Sequence, residues 1–173
     1  MTANPSETWR TAADTDALAA GLREGLRGLA KAVVVVTCRD GDARYAMVAT
    51  AVSEVSMNPP SMLICVNKSA SLFPVLSEGA DFCINILNAA QADIANQCSV
   101  AKGEERFAIG VWRDSKLGPP VLQGAQASFV CRNISKMEQG THGVFIGEVA
   151  AVTNSAPIDP LVYMDRRYSR VAD

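Results

Sequence analysis

A chain of 173 residues, 49% hydrophobic and 20% charged, has the size and balance of one folded domain with its own core, not of a disordered segment. Its formal charge of −2 comes without any cluster of Lys and Arg, which argues against nucleic acid as a partner. No apolar run approaches the ~18 residues of a membrane span, so no membrane association is expected.

Residues 1–14 read as a flexible N-terminal arm, and MTANPSETWR lacks the basic and apolar regions of a secretion signal. Over 15–31, Leu18, Leu22, Leu26 and Leu29 share one helical face, and Asp14, Thr15 or Asp16 can cap its start. AVVVVTCR (32–39) is a β-branched strand, DGD (40–42) a turn, and RYAMVATAV (44–52) the returning strand. SMNPP (56–60) breaks the chain before a third strand, SMLICVN (61–67). SASLFPVLS (69–77) predicts a short helix with Pro74 in its first turns, and DFCINIL (81–87) another strand. Asn88 and Gln91 form a capping box for a helix reaching Cys98. Residues 99–124 read as a long loop, and 125–138, 143–152 and 160–164 as the last strands. Many strands without βαβ alternation predict a mainly β fold, a barrel with peripheral helices in a single domain over 1–173.

Five cysteines (Cys38, Cys65, Cys83, Cys98, Cys131) are odd in number and widely spaced, as expected of buried, reduced thiols in a cytoplasmic protein. With one histidine and no paired cysteine spacing, no metal set is expected. GxSxG is absent, which removes the commonest serine hydrolase signature.

Five segments carry possible chemistry. In CVNKSASLF (65–73), a strand end meets a helix start, and free amides, two hydroxyls and the Lys68 ammonium suit a phosphate; the competing reading is serine N-capping with a solvated Lys68. MVATAVSEVSMNPP (47–60) is rich in small residues, which admits a flat ring close to the backbone or else reflects tight packing. YMDRRYSR (163–170) and EERF (104–107) offer cations beside aromatic rings, or solvated surface. His142, in GTHG, is either a turn residue or a ligand contact.

Taken in order, MVATAVSEVSMNPPSMLICVNKSAS, FCINILNAAQ, EERF, PPVLQGAQASFVCR, GTHGVFIGEV and PLVYMDRRY resemble the short-chain flavin reductase family over about residues 20–170. The resemblance implies an FMN-binding split β-barrel of Greek-key type, a homodimer. Such an enzyme oxidises NADH or NADPH, reduces FMN or FAD, and serves a separate oxygenase through diffusing reduced flavin. It implies that Met47, Thr50, Ala51, Val52 and Ser53 line the flavin ring, that Asn67, Lys68, Ser69 and Ser71 hold its phosphate or ribityl chain, and that Phe107 contacts the cofactor. His142 is then the catalytic-site residue facing the nicotinamide, with Arg167 and Tyr168 closing over that nucleotide. The family often carries Thr where this chain has Val48, so one side-chain hydrogen bond to flavin is expected to be missing. Hydride transfer between two stacked cofactors asks for alignment, not a protein nucleophile, and needs no GxGxxG motif. Two alternatives are a split-barrel oxidase with tightly bound FMN and a non-catalytic flavin-storage protein.

Overall fold

Residues 33–38 have no exposed surface in the computed structural model, which describes residues 14–155 and 157–171. A strand stays fully apolar in this way only when both of its faces are covered. Here one face of the strand looks into a barrel and the other into a layer of helices.

Asp14 caps α1 (Thr15–Gly25) by accepting from the Ala17 amide at 2.9 Å, and a 3-10 turn follows at Leu26–Gly28. The helix is thus shorter than its leucine spacing suggests, and Leu18, Leu22, Leu26 and Leu29 remain 40–62% exposed. The short β1 (Lys31–Ala32) leads to β2 (Val34–Asp40), which pairs with β3 (Ala43–Ala49) as the hairpin predicted around DGD. The strand expected over 44–52 is broken: Thr50 and Ala51 belong to neither β3 nor β4 (Val52–Met57). Next come β5 (Pro60–Asn67), α2 (Leu72–Ser77) and β6 (Phe82–Ile86). The Asn88–Gln91 capping box opens a 3-10 turn that runs into α3 (Ala92–Val100).

The expected loop over 99–124 holds structure of its own: a 3-10 helix (Gly103–Phe107) and a small ribbon of β7 (Trp112–Asp114) with β8 (Pro120–Leu122). Phe107 and Trp112 pack edge to face at 5.1 Å, which buries Phe107, whereas Ile109 and Val111 of the same segment stay exposed. β9 (Ala127–Gln139) and β10 (His142–Asn154) form a long hairpin. Gly140 turns it at φ +54°, a conformation that favours glycine. The C-terminal segment makes a further hairpin, β11 (Val162–Met164) with β12 (Arg167–Ser169), where a solvated tail is the simpler sequence reading.

Seven strands pair in the order β3-β2-β6-β9-β10-β5-β4. The two edge strands of this sheet, β3 and β4, are consecutive in the chain and separated only by Thr50 and Ala51. Two residues span no more than about 11 Å between the flanking Cα atoms. The edges must therefore meet there, which rolls the sheet into a barrel whose split lies at Thr50–Ala51. Inside it pack Val34, Val36, Ile64, Phe82, Ile84 and Phe145, with Leu72 and Leu76 of α2 plugging one end. Outside it, Val33, Val35 and Ala46 meet α3 and Phe107. Gly147 lets β10 cross the barrel closely, since a Cβ there would lie 2.5 Å from the Phe82 ring. Buried Asn85 ties the layers: its carbonyl accepts from the Leu122 amide and the Ser128 hydroxyl, both at 2.9 Å, and its amide donates to Val35 O.

Candidate active site

The ladder brings three distant segments to one end of adjacent strands. The Cys65 amide donates to Ala51 O at 2.9 Å, Val52 faces Ile64, and Asn67 faces His142. Val52 opens β4, Asn67 ends β5 and His142 opens β10, so these neighbouring strands bring Thr50–Ser53, the 67–71 turn and His142 to one end of the sheet. With strands ~4.8 Å apart and a rise of ~3.4 Å per residue, Ala51 and His142 stand roughly 12 Å from each other.

At the end of β5 the chain turns on Asn67, whose carbonyl oxygen accepts from the Ser69 amide at 2.9 Å and the Ser69 hydroxyl at 2.8 Å. The Lys68 amide donates to Thr141 O, which joins this turn to the β9–β10 hairpin. Ser71 occupies the N-cap position of α2 but makes no side-chain cap bond; its hydroxyl instead takes a 3.3 Å contact from the Arg106 guanidinium. Simple N-capping is thus not what the serines do. Lys68 is also not a lone solvated cation, for its ammonium lies 2.8 Å from Glu138, which bridges to Lys136 at 3.2 Å. These two lysines hold the Glu138 carboxyl below its ordinary range, Lys68 more strongly.

Arg106 is the residue that sequence reasoning passed over, although EERF flagged its segment. From the 3-10 helix it donates to Ala101 O at 2.9 Å, to Ala46 O of β3, and to Ser71. It thereby sets a half-buried cation beside the 67–71 turn. Its partners lie up to 60 residues away in sequence, and no local pattern announces them.

The other expected residues divide. Met47 packs its side chain against the barrel interior, while its neighbour Val48 faces α3. Phe107 is 6% exposed, flanked by Trp112 and covered by the Arg44 guanidinium 4.3 Å from its ring centre, so it is a core residue and does not line the groove. Tyr168 packs edge-on to Tyr163 at 5.7 Å and shares with Thr50, Val48 and Ser99 a cleft of about 260 Å³. Arg167 does not line that cleft; its side chain is exposed and lies 3.7 Å from Asp165. His142 is exposed, its Nδ1 2.9 Å from the Thr141 hydroxyl.

Burial pushes the thiols of Cys38 and Cys131 up to about 12 and that of Cys98 to about 11, and raises Cys83 as well. Thiols so protonated are poor nucleophiles. Among the described residues no three His, Cys, Asp or Glu side chains gather as a metal set, and no helix is long and apolar enough to cross a membrane.

The fold is a split barrel with a strand break at Thr50–Ala51, and the Lys68, Ser71 and Arg106 donors at the 67–71 turn have the chemistry that a phosphate needs. The family model for the flavin reductase like domain matches residues 26–172, and the chain belongs to that family. It is a flavin reductase. The FMN reductase (NADH) RutF of Stutzerimonas stutzeri is 37% identical over 147 residues, 84% of each chain. The NADH:FAD oxidoreductase of Streptomyces globisporus C-1027, solved with NAD and FAD fragments, superposes with a TM-score of 0.84 at 27% identity, covering 96% of this chain and 98% of that one. BorF, the flavin reductase component of a bacterial two-component tryptophan halogenase, superposes at 0.81 with 28% identity, covering 90% and 99%.

Proposed function

We propose that this flavin reductase oxidises NADH, reduces free FMN, and releases the reduced flavin to a separate oxygenase. The observation that carries the reading is the convergence of Thr50–Ser53, the 67–71 turn with Arg106, and His142 on three adjacent strand ends. The curated relative named above acts on FMN with NADH, and the halogenase reductase serves a second component.

In this reading the backbone of Thr50–Ser53 holds the ring edge, where the strand break leaves room for polar ring atoms. Ser71, Lys68 and Arg106 hold the flavin phosphate. His142, one strand from Asn67, orients the nicotinamide, and Tyr168 covers the groove from the α3 side. When bound, reduced nicotinamide supplies a hydride and flavin accepts it. The chain's own task is to keep the two rings within the ~3–3.5 Å near-attack range and to exclude water.

The enzyme works as a homodimer. Leu63 and Cys65 of β5 and Val144 and Ile146 of β10 alternate with buried Ile64 and Phe145, so they look outward, and Met137 beside Val144 is 63% exposed. This apolar sheet face, with the bare leucines of α1, is surface that a second subunit covers. Light scattering at micromolar concentration should return twice the monomer mass.

The test of function is NADH consumption by purified protein with FMN, FAD, riboflavin or no added flavin. Turnover that rises with added FMN supports a reductase of diffusible flavin. Turnover unaffected by added flavin points to a prosthetic FMN, and flavin binding without NADH consumption to a storage protein.

A further inference from the structure

The 3-10 helix Gly103–Phe107 is five residues long. Such helices rarely exceed three or four residues, because their hydrogen bonds are poorly aligned, so a longer one takes its shape from what surrounds it. Two elements tie this one down. From α3, Gln97 Nε2 donates to Glu105 O at 2.8 Å and the Cys98 thiol to Arg106 O at 3.4 Å. From β3, Arg44 donates to the Glu104 carboxylate through Nη2 and, at 3.3 Å, through Nε. The same guanidinium lies 4.3 Å from the centre of the Phe107 ring. Its planar fork and its flat face thus grip the helix at residues 104 and 107 together, which an ammonium could not do.

Arg106 stands between those two points. Arg44 and Ala46 are alternate residues of β3 and share one face of the strand. Ala46 O accepts from Arg106 Nη1, which also reaches Ser71 Oγ at 3.3 Å, while Ala101 O takes Nε at 2.9 Å. One strand therefore fixes both the helix that carries Arg106 and the guanidinium itself. Among the described residues Arg106 Nη2 makes no hydrogen bond, which leaves it as a donor beside the 67–71 turn. The Glu104 side chain is 65% exposed, so its ion pair adds little to global stability. What it does is local: it sets where Arg106 sits.

We propose that Arg44 is a positioning residue for the flavin phosphate: by clamping Glu104 and Phe107 it holds Arg106 at Ser71. The inference rests on the reading of the 67–71 turn as the phosphate site. Five variants test it: Arg106→Ala, Arg44→Ala, Arg44→Lys, Glu104→Ala and the Arg44→Ala/Arg106→Ala double. Each is titrated with FMN and with riboflavin by flavin fluorescence quenching. Glu104→Ala decides between clamping and plain attraction of charge. Losing a carboxylate should tighten an anion if only charge matters, and should weaken it if the clamp matters. Arg44→Lys keeps the charge but not the fork.

Arg106→Ala should weaken FMN about tenfold and leave riboflavin within about twofold. Arg44→Ala, Arg44→Lys and Glu104→Ala should each weaken FMN roughly three- to tenfold, again sparing riboflavin. In the Arg106→Ala background Arg44→Ala should add less than about twofold, because the two residues act as one unit. Tighter or unchanged FMN binding in Glu104→Ala, full recovery in Arg44→Lys, full additivity in the double variant, or equal losses for both flavins overturns the proposal. A full Arg106 effect with silent Arg44 and Glu104 variants overturns the clamp alone. Arg106→Ala that treats FMN and riboflavin alike overturns the phosphate reading and the clamp with it.

Discussion

Lys68→Ala tests the phosphate site most directly, because the structure separates its effect on binding from any effect on folding. The ammonium is 40% exposed and 2.8 Å from Glu138, which keeps a second partner in Lys136. Exposed pairs of this kind contribute little to stability, so the melting temperature should not move measurably. Binding is different. Two unit charges about 4 Å apart in water attract by about 1 kcal/mol, and a phosphate dianion doubles that to roughly 2 kcal/mol, or about thirtyfold in Kd. Salt screening brings the expected loss for FMN at physiological ionic strength nearer to tenfold. Riboflavin has no phosphate and should bind within about twofold of wild type. The assay is quenching of flavin fluorescence by added protein, with FMN and riboflavin, at low and high salt. Glu138→Gln is the complement: it removes the carboxylate that competes for Lys68 and should tighten FMN severalfold while leaving riboflavin unchanged. Equal weakening of both flavins by Lys68→Ala would refute the reasoning, since the lysine would then be acting on the ring or the turn rather than on the phosphate.

His142→Ala should lower kcat/KM for NADH roughly ten- to a hundredfold with flavin affinity unchanged; unaltered NADH kinetics would leave His142 as a turn residue, and lost flavin binding would move the nicotinamide elsewhere. Gly147→Ala should destabilise the fold by about 1–3 kcal/mol, read as a lower melting temperature, because the new methyl meets the Phe82 ring at 2.5 Å and Cys131 Cβ at 2.7 Å. Stability should also fall as pH rises above about 9. Between the ordinary thiol value of 9.0 and the raised values of about 11 to 12 for Cys98, Cys38 and Cys131, the folded chain binds more protons than the unfolded one, so each thiol costs roughly 1.4 kcal/mol per pH unit. Denaturant titrations from pH 8 to pH 11 measure the slope; a flat profile would mean these thiols are not sealed from water.

The local signals in this chain were written plainly. The Val33–Cys38 run, the DGD turn and the Asn88–Gln91 capping box lie where sequence places them, and Asp14 is the one of three candidate caps that the structure uses; each depends on neighbours within four residues. The order of motifs also pointed to the flavin reductase family and its barrel. What sequence could not supply was the pairing of distant parts. The break at Thr50–Ala51 carries neither Gly nor Pro; it exists because β3 and β4, the two edges of a rolled sheet, must meet there. Phe107 looks like a ligand-facing aromatic in a loop, yet Trp112, Arg44 and α3 bury it once the 103–122 segment folds back on the barrel. Lys68 reads as free until the β9–β10 hairpin sets Glu138 beside it, and Arg106 gains meaning only through Ala46 and Ser71. Hydrophobic periodicity and capping act along the chain, whereas charge pairs and ring contacts act across space. Only the closure of the barrel decides which charges and rings become neighbours.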